Sequence, residues 1–342
     1  MKLSIITTIY KAEKDLPRLL DSMMAQKSPQ LEFFLINNGS PDNCGEIMAE
    51  YAKRDSRFKI HTIKENIGYI RARNEGLRLC DADYIGFCDS DDYLEPGGYD
   101  RAIAEIARYD CDFYLARWRI NDANSATVLS SSIPCGFYSQ TTKNTIAPLF
   151  FGDYQGKSIN RGFVWKEIIK NSIIKDNNIL FVERLKPIED MLFNAQIAVH
   201  SASIYVSDNI LYNYIVNSES ITAQRCHKYN LSADIMMVTD FYELMSQECQ
   251  DARCRAALSS YMLHGITTTI SMASRFLPIT ISSKILFDKL QKSTLRNVLS
   301  DAHPQGKDRV IHFLLMRRMF KTLLLLAKMR NKAANPTAGQ LL

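Results

Sequence analysis

The sequence predicts an α/β protein in two parts: a Rossmann-type, mostly parallel sheet flanked by helices over residues 1–225, then an all-helical region over 226–342. Three observations carry this. Short apolar runs alternate with helix-period segments through the first 120 residues, the pattern of right-handed crossovers around a parallel core. One such run, Tyr84 to Cys88, leads straight into Asp89, Asp91 and Asp92, where a strand buried on both faces has to stop. From Lys228 onward only helical periodicity remains, in four segments broken near Asp251, Pro278 and Pro304.

The elements follow in order. Leu3–Ile9 is a first strand. Its apolar run ends at Tyr10 against Lys11, Glu13, Lys14 and Asp15, with no small-residue cleavage site, so it does not read as a leader peptide. Leu16, Leu19, Leu20, Met23 and Met24 recur at helical spacing. Leu31–Asn37 is a second strand, and a helix over 43–54 places Ile47, Met48 and Tyr51 on one face. Phe58–Ile63 is a third strand, followed by a helix over 67–79. After the acid-tipped fourth strand, Pro96 lies near the first turn of a helix, and Cys111–Ile120 is a fifth strand. Asn121–Ser132 is polar and reads as a surface loop, and helical patterning returns over 144–151 and 162–171. Phe181–Pro187 leads into a helix from Ile188 to His200, and Ile204–Val206 and Ile210–Ile215 read as short strands.

Charge is distributed unevenly. Of the formal +5, residues His303 to Leu342 carry eight Lys/Arg against one acid, or +7, which leaves −2 for the rest. A nucleic-acid-binding body would instead show a basic face on its main domain. The eight cysteines form no C-x-x-C pair and several sit in apolar runs. They read as free thiols in a reducing, cytoplasmic setting without disulfides or zinc. No stretch approaches eighteen uninterrupted apolar residues, so no membrane span is expected. Within Arg309–Arg330, Arg317, Lys321 and Lys328 share one side of a helix, and Ile311, Met316, Phe320, Leu323, Leu324 and Ala327 occupy much of the rest. Such a helix fits an anionic membrane surface, and equally fits packing against 228–300 or a second subunit.

Four places along the chain carry candidate chemistry. Asp89, Asp91 and Asp92 repel one another unless a cation sits among them, and hard oxygen ligands favour Mg²⁺ or Mn²⁺. The alternative is a solvated acidic turn capping the next helix. Tyr10, just beyond the first strand, is placed to stack on a flat ligand or simply to cover the sheet edge. Asn37-Asn38-Gly39-Ser40 is a tight turn whose amides can bond a base edge or only build the turn. In Glu65–Asn74, a glycine-containing helix start offers free N–H groups, and Arg73 is a candidate diphosphate contact or a surface arginine. All four fall at carboxyl ends of successive strands, where open α/β sheets bind ligands. Together they describe a nucleoside diphosphate site. No Walker motif or G-x-G-x-x-G is present, so metal has to neutralise the phosphates. Glu189-Asp190 begins a later helix, where the dipole favours ionised carboxylates with or without a catalytic duty.

The ordered set Ser4–Tyr10, Asn38-Gly39-Ser40, Asn66-x-Gly68 with Ala72-Arg73-Asn74, Asp89-Ser90-Asp91-Asp92, Trp165, Glu189-Asp190-x-x-Phe193, Tyr212-x-Tyr214 and Ser220-Ile221-Thr222 resembles the inverting family 2 glycosyltransferases of GT-A fold. That resemblance implies a nucleotide-sugar donor over a divalent metal and a glycan or lipid-linked acceptor in polysaccharide or lipopolysaccharide synthesis. It implies a cytoplasmic protein, peripheral on the inner face of the membrane when its acceptor is lipid-linked. By position, Thr8 and Tyr10 would contact the base, Asp91 the ribose, and Asp89 or Asp92 the metal and diphosphate. Asp190, paired with Glu189, would be the general base. One departure is Asn37-Asn38 where the family usually carries two acids. Asn38 would accept the uracil N3–H without charge. Sugar-phosphate nucleotidyl transfer and an inactive sugar-nucleotide-binding subunit are the rival readings. The missing glycine-rich loop speaks against the first, and the intact Asp91, Asp92 and Asp190 against the second.

Overall fold

Ten strands form one sheet among the described residues of the computed structural model, which are 1–122, 125–131, 133–139, 151, 162–217, 230–290, 292–302 and 308–333. They belong to two compact units, Met1–Asn217 and Ser218–Leu342. The sheet order is β3 (Phe58–Ile63), β2 (Leu31–Asn38), β1 (Leu3–Ile9), β4 (Tyr84–Asp89), β9 (Glu167–Lys170), β6 (Phe113–Asn121), β10 (Ser203–Ile215) and β5 (Tyr93–Leu94). The first four are parallel neighbours. The apolar runs of β1, β2 and β4 bury both faces, with Leu3, Ile5, Ile9, Phe33, Leu35 and Ile85 fully enclosed, whereas the edge strand β3 buries only Phe58. Helix α1 (Leu16–Met24) buries Leu16, Leu19, Leu20 and Met23, the face its spacing foretells. Helices α2 (Cys44–Arg54), α3 (Tyr69–Leu79) and α4 (Gly98–Tyr109) follow β2, β3 and β5.

Three local readings need correction. Residues 162–171 contain a strand where a helix is expected: β9 inserts antiparallel between β4 and β6, and the short helix α5 (Asn171–Asp176) follows it. A short apolar run fits either period, and the gap between β4 and β6 decides. The loop expected at 121–132 contains β7 (Ala126–Leu129), which pairs with the end of β6. Its side chains are largely exposed, so apolar patterning cannot show it. The two short strands after His200 are one strand, β10, with register shifts between Val206 and Tyr212. It also carries β8 (Gly136–Ser139). The helix expected from residue 144 falls outside the described residues, apart from Phe151, as does Ser220-Ile221-Thr222.

Helix α6 (Glu189–His200) completes the first unit. In the second unit, six helices are described: α7 (Leu231–Glu248), α8 (Ala252–Phe276), α9 (Ile279–Lys289), α10 (Lys292–Asp301), α11 (Asp308–Met316) and α12 (Phe320–Ala333). Asn230 and Asp251 cap α7 and α8 by accepting N–H bonds from Ala233 and Cys254. Here the expectation of thiols alone fails. Cys249 and Cys254 are joined in a disulfide across the α7–α8 turn, which brings their Cα atoms within 5.2 Å. Cys44, Cys80, Cys88 and Cys111 are buried free thiols and Cys135 is an exposed one. No helix among the described residues is long and apolar enough to cross a membrane.

Candidate active site

The carboxyl ends of β1, β2 and β4 form one edge. Thr8 of β1 sits opposite Asp89 of β4, and Ile9 opposite Asn37 of β2. Thr8 is half-buried and Tyr10, just past the strand, is 38% exposed. The Lys11 ammonium lies 5.5 Å from the Tyr10 ring centroid, and the Lys11 N–H donates to Ser40 Oγ at 2.8 Å. Gly39 makes the adjoining turn with φ 66°. A Cβ there would lie 2.6 Å from the Glu65 carbonyl carbon, so only glycine fits. Asn38 is buried and faces this same loop. Its Nδ2 donates to Asn66 Oδ1 at 3.1 Å, and its Oδ1 accepts the Ile67 N–H at 3.1 Å. The turn amide expected at a base edge is thus already engaged in pinning the β3–α3 loop.

Arg73 occupies the centre of the site. It lies on the buried side of α3, and its side chain is 8% exposed. Nη2 donates to Asp89 Oδ1 at 3.1 Å and Nη1 to Asp190 Oδ1 at 2.8 Å. The Phe181 ring centroid is 4.9 Å from the guanidinium carbon. The arginine expected at a diphosphate is therefore held between two carboxylates and an aromatic wall. Asp190, in the first turn of α6, is 17% exposed. Burial pushes its carboxyl up to about 7 against the pull of Arg73, and the charges of Glu189 and Asp89 add to the rise. Glu189 turns inward. It is 4% exposed, and one oxygen accepts the Tyr69 hydroxyl while Oε2 has no partner among the described residues.

The remaining acids separate into two roles. Asp92 is 1% exposed. Its Oδ2 accepts the Tyr212 hydroxyl and its Oδ1 the Ile215 N–H, each at 2.7 Å. Both oxygens tie the acidic turn to β10, at the residue expected from the sequence as a metal ligand. Asp91 is half-buried, and its carboxyl is pushed up to about 6 by burial and by the neighbouring Asp89 charge. Asp89 remains partly open, at 38% exposure.

Residues 4–166 match the family model described as glycosyl transferase family 2. Over that segment the chain carries the sequence pattern of this family. Among its relatives is the putative glycosyltransferase EpsH of Bacillus subtilis, 26% identical over 84% of this chain and 80% of that protein. The poly(ribitol-phosphate) beta-N-acetylglucosaminyltransferase TarS of Staphylococcus aureus is 25% identical over 72% of this chain but only 39% of its own length. In three dimensions, residues 1–349 of TarS in complex with UDP-GlcNAc superpose with a TM-score of 0.73 at 19% identity, covering 98% of this chain and 93% of that one. A mannosyltransferase from Pyrobaculum calidifontis in complex with GDP-Man and Mn²⁺ shares the fold at a TM-score of 0.51 and 11% identity, over 97% and 88% of the two chains.

The segment matched by the family model ends before Glu189-Asp190, and the structure brings Asp190 and Asp89 to one guanidinium. No group of three His, Cys, Asp or Glu placed to hold a metal occurs among the described residues. Asp89 and Asp91 nonetheless fit a hard divalent cation of the Mg²⁺ type, which is bound by one or two carboxylates together with substrate phosphates. Burial and, after it, the neighbouring Asp89 charge raise the Asp91 carboxyl, and such a charge would relieve both.

Tyr212 enters the sequence reading only within Tyr212-x-Tyr214, without a role, and the pair Lys166 and Glu167 does not enter it. Tyr212 is fully buried, donates to Asp92, accepts the Asp89 N–H at 3.0 Å, and stacks on Trp165 at 4.5 Å and 11°. Lys166 and Glu167 are a buried pair at 2.9 Å beside that tryptophan. Two charges inside the apolar run Phe163–Ile169 were the available signal.

Proposed function

We propose that this glycosyltransferase moves a sugar from a UDP-sugar to a hydroxyl of a glycan or lipid-linked acceptor, with metal dependence and inversion, in surface polysaccharide or lipopolysaccharide synthesis. The observation that carries this reading is the shared guanidinium. Arg73 holds Asp89, at the donor-side sheet edge, and Asp190, at the start of α6, within one hydrogen-bond length of itself. The UDP-GlcNAc complex of TarS and its polymer substrate support the donor and acceptor classes.

In this mechanism Thr8 and the exposed Tyr10 ring receive the base, and Asp89 and Asp91 hold the cation. When bound, the cation offsets the charge that develops on the departing diphosphate. The acceptor hydroxyl is a poor nucleophile, so Asp190 takes its proton as the oxygen attacks the anomeric carbon. The carbon–diphosphate bond breaks with its electron pair leaving on the diphosphate. A carboxyl titrating near neutrality suits this duty, being ionised enough to accept a proton yet basic enough to hold it. Arg73 acts as a positioning residue for both acids.

The test is a screen of UDP-, GDP-, CMP- and dTDP-sugars for slow hydrolysis with Mg²⁺ or Mn²⁺. Turnover of a UDP-sugar that EDTA abolishes is the expected result. Asp190→Asn should keep donor binding by calorimetry and lose transfer, and retained transfer overturns the assignment of the base.

A further inference from the structure

Helices α11 and α12 bury one set of apolar side chains and expose another. Leu314, Leu315, Phe320, Leu323 and Leu324 are buried, so the packing duty of an amphipathic helix is already filled. On the outer side of α11, Val310, Phe313 and Met316 are each 55% exposed; on α12, Leu325, Leu326 and Met329 are 51%, 47% and 68% exposed.

Cations share those outer sides. Arg309, Arg317, Lys321 and Lys328 are all exposed. Arg309, Phe313 and Arg317 succeed one another at four-residue steps, as do Lys321 and Leu325, with Lys328 on the same face. The Arg317 guanidinium lies 5.7 Å from the Phe313 ring centroid. From Arg309 to Met329 the chain contains no acid. At the corner, Arg318 (φ 52°) donates to the Phe287 and Leu290 carbonyls at the end of α9, which fixes the turn between the two helices.

Large apolar side chains interleaved with cations that form no ion pair among the described residues suit a surface that is apolar beneath and anionic on top. A symmetric contact with a second copy would set the same four cations against themselves. A nucleic acid would leave the Phe, Leu and Met side chains unused. We propose that the outer faces of α11 and α12 dock on an anionic lipid bilayer, with Phe313, Leu325, Leu326 and Met329 at headgroup depth and Arg309, Arg317, Lys321 and Lys328 on lipid phosphates.

The experiment is flotation of the full chain with vesicles of phosphatidylcholine, alone or mixed equally with phosphatidylglycerol, at about 0.1 M salt. Binding to the mixed vesicles alone is expected. Each cation near such a surface is worth about 1 kcal/mol, or about fivefold in partitioning, so Arg317→Gln with Lys321→Gln should weaken binding about 25-fold. Phe313→Gln with Met329→Gln should weaken it too, with helical circular dichroism unchanged in both variants. Failure to float with mixed vesicles, or equal flotation of the charge variant, overturns the proposal. So does loss of a dimer by light scattering in these variants without any vesicle binding.

Discussion

Asp89 and Asp190, on β4 and α6, accept hydrogen bonds from the two terminal nitrogens of a single guanidinium, that of Arg73. A cation 8% exposed between two carboxylates is costly to remove, because the acids are left facing each other without compensation. Arg73→Met should therefore lower unfolding free energy by about 3 kcal/mol in urea titrations. Arg73→Lys keeps the charge but lacks the fork that reaches both acids. It should keep the fold, and its kcat should fall more than its donor KM rises. A selective rise in donor KM would return Arg73 to the diphosphate.

The Asp190 carboxyl, raised to about 7, sets a pH dependence with two readouts. Transfer requires the ionised form, so kcat should climb through pH 7 and level above it. Stability runs the other way. The folded-state value lies above the ordinary carboxylate value, so the protonated acid favours the fold. That contribution is complete below about pH 4 and lost as pH rises toward 7. Asp190→Asn should flatten this part of the stability–pH curve measured by thermal denaturation, and an unchanged slope would place the titration elsewhere.

The sheet edge was legible in the sequence because strand ends leave a local mark: apolar runs that stop at Thr8-Ile9-Tyr10, Asn37-Asn38 and Asp89. The orientation of side chains beyond those ends was not legible. Asp91 and Asp92 are neighbours of identical chemistry, and only the arrival of Tyr212 and Ile215 from β10 decides which one turns inward. The charge of Arg73 is legible locally, but its pairing with Asp190, 117 residues away, is not. The β9 insertion was missed for the same reason. Its partners Tyr84–Gly86 and Phe113–Leu115 are supplied by the fold, not by its own periodicity.

Asp91 and Asp92 provide a paired comparison. Asp91 is an acid crowded by Asp89, so Asp91→Asn should raise thermal stability at pH 7.5, by about 1 kcal/mol. It should also remove the Tm increase that Mn²⁺ with UDP gives the unaltered chain. Asp92→Ala should do the reverse. It strands the Tyr212 hydroxyl and the Ile215 N–H, costing about 2 kcal/mol or more, while leaving a metal-dependent Tm shift in place. Thermal melts with and without Mn²⁺ and UDP separate the two, and a shift lost in both variants would restore Asp92 as a ligand.

Glu189 tests how the base is tuned. Its buried charge beside Asp190 helps hold that carboxyl high, and its Oε1 accepts the Tyr69 hydroxyl. Glu189→Gln keeps an oxygen for Tyr69 and removes the charge. The midpoint of the kcat–pH profile should therefore move down from about 7, by up to about one unit, with transfer still measurable. Tyr69→Phe leaves the Glu189 carboxyl without that donor in a pocket 4% exposed and should cost about 1–3 kcal/mol of stability. Were Glu189 itself the proton acceptor, Glu189→Gln would abolish transfer at every pH instead of shifting its midpoint. The pH–rate profile of that one variant therefore decides which of the two adjacent carboxylates takes the acceptor's proton.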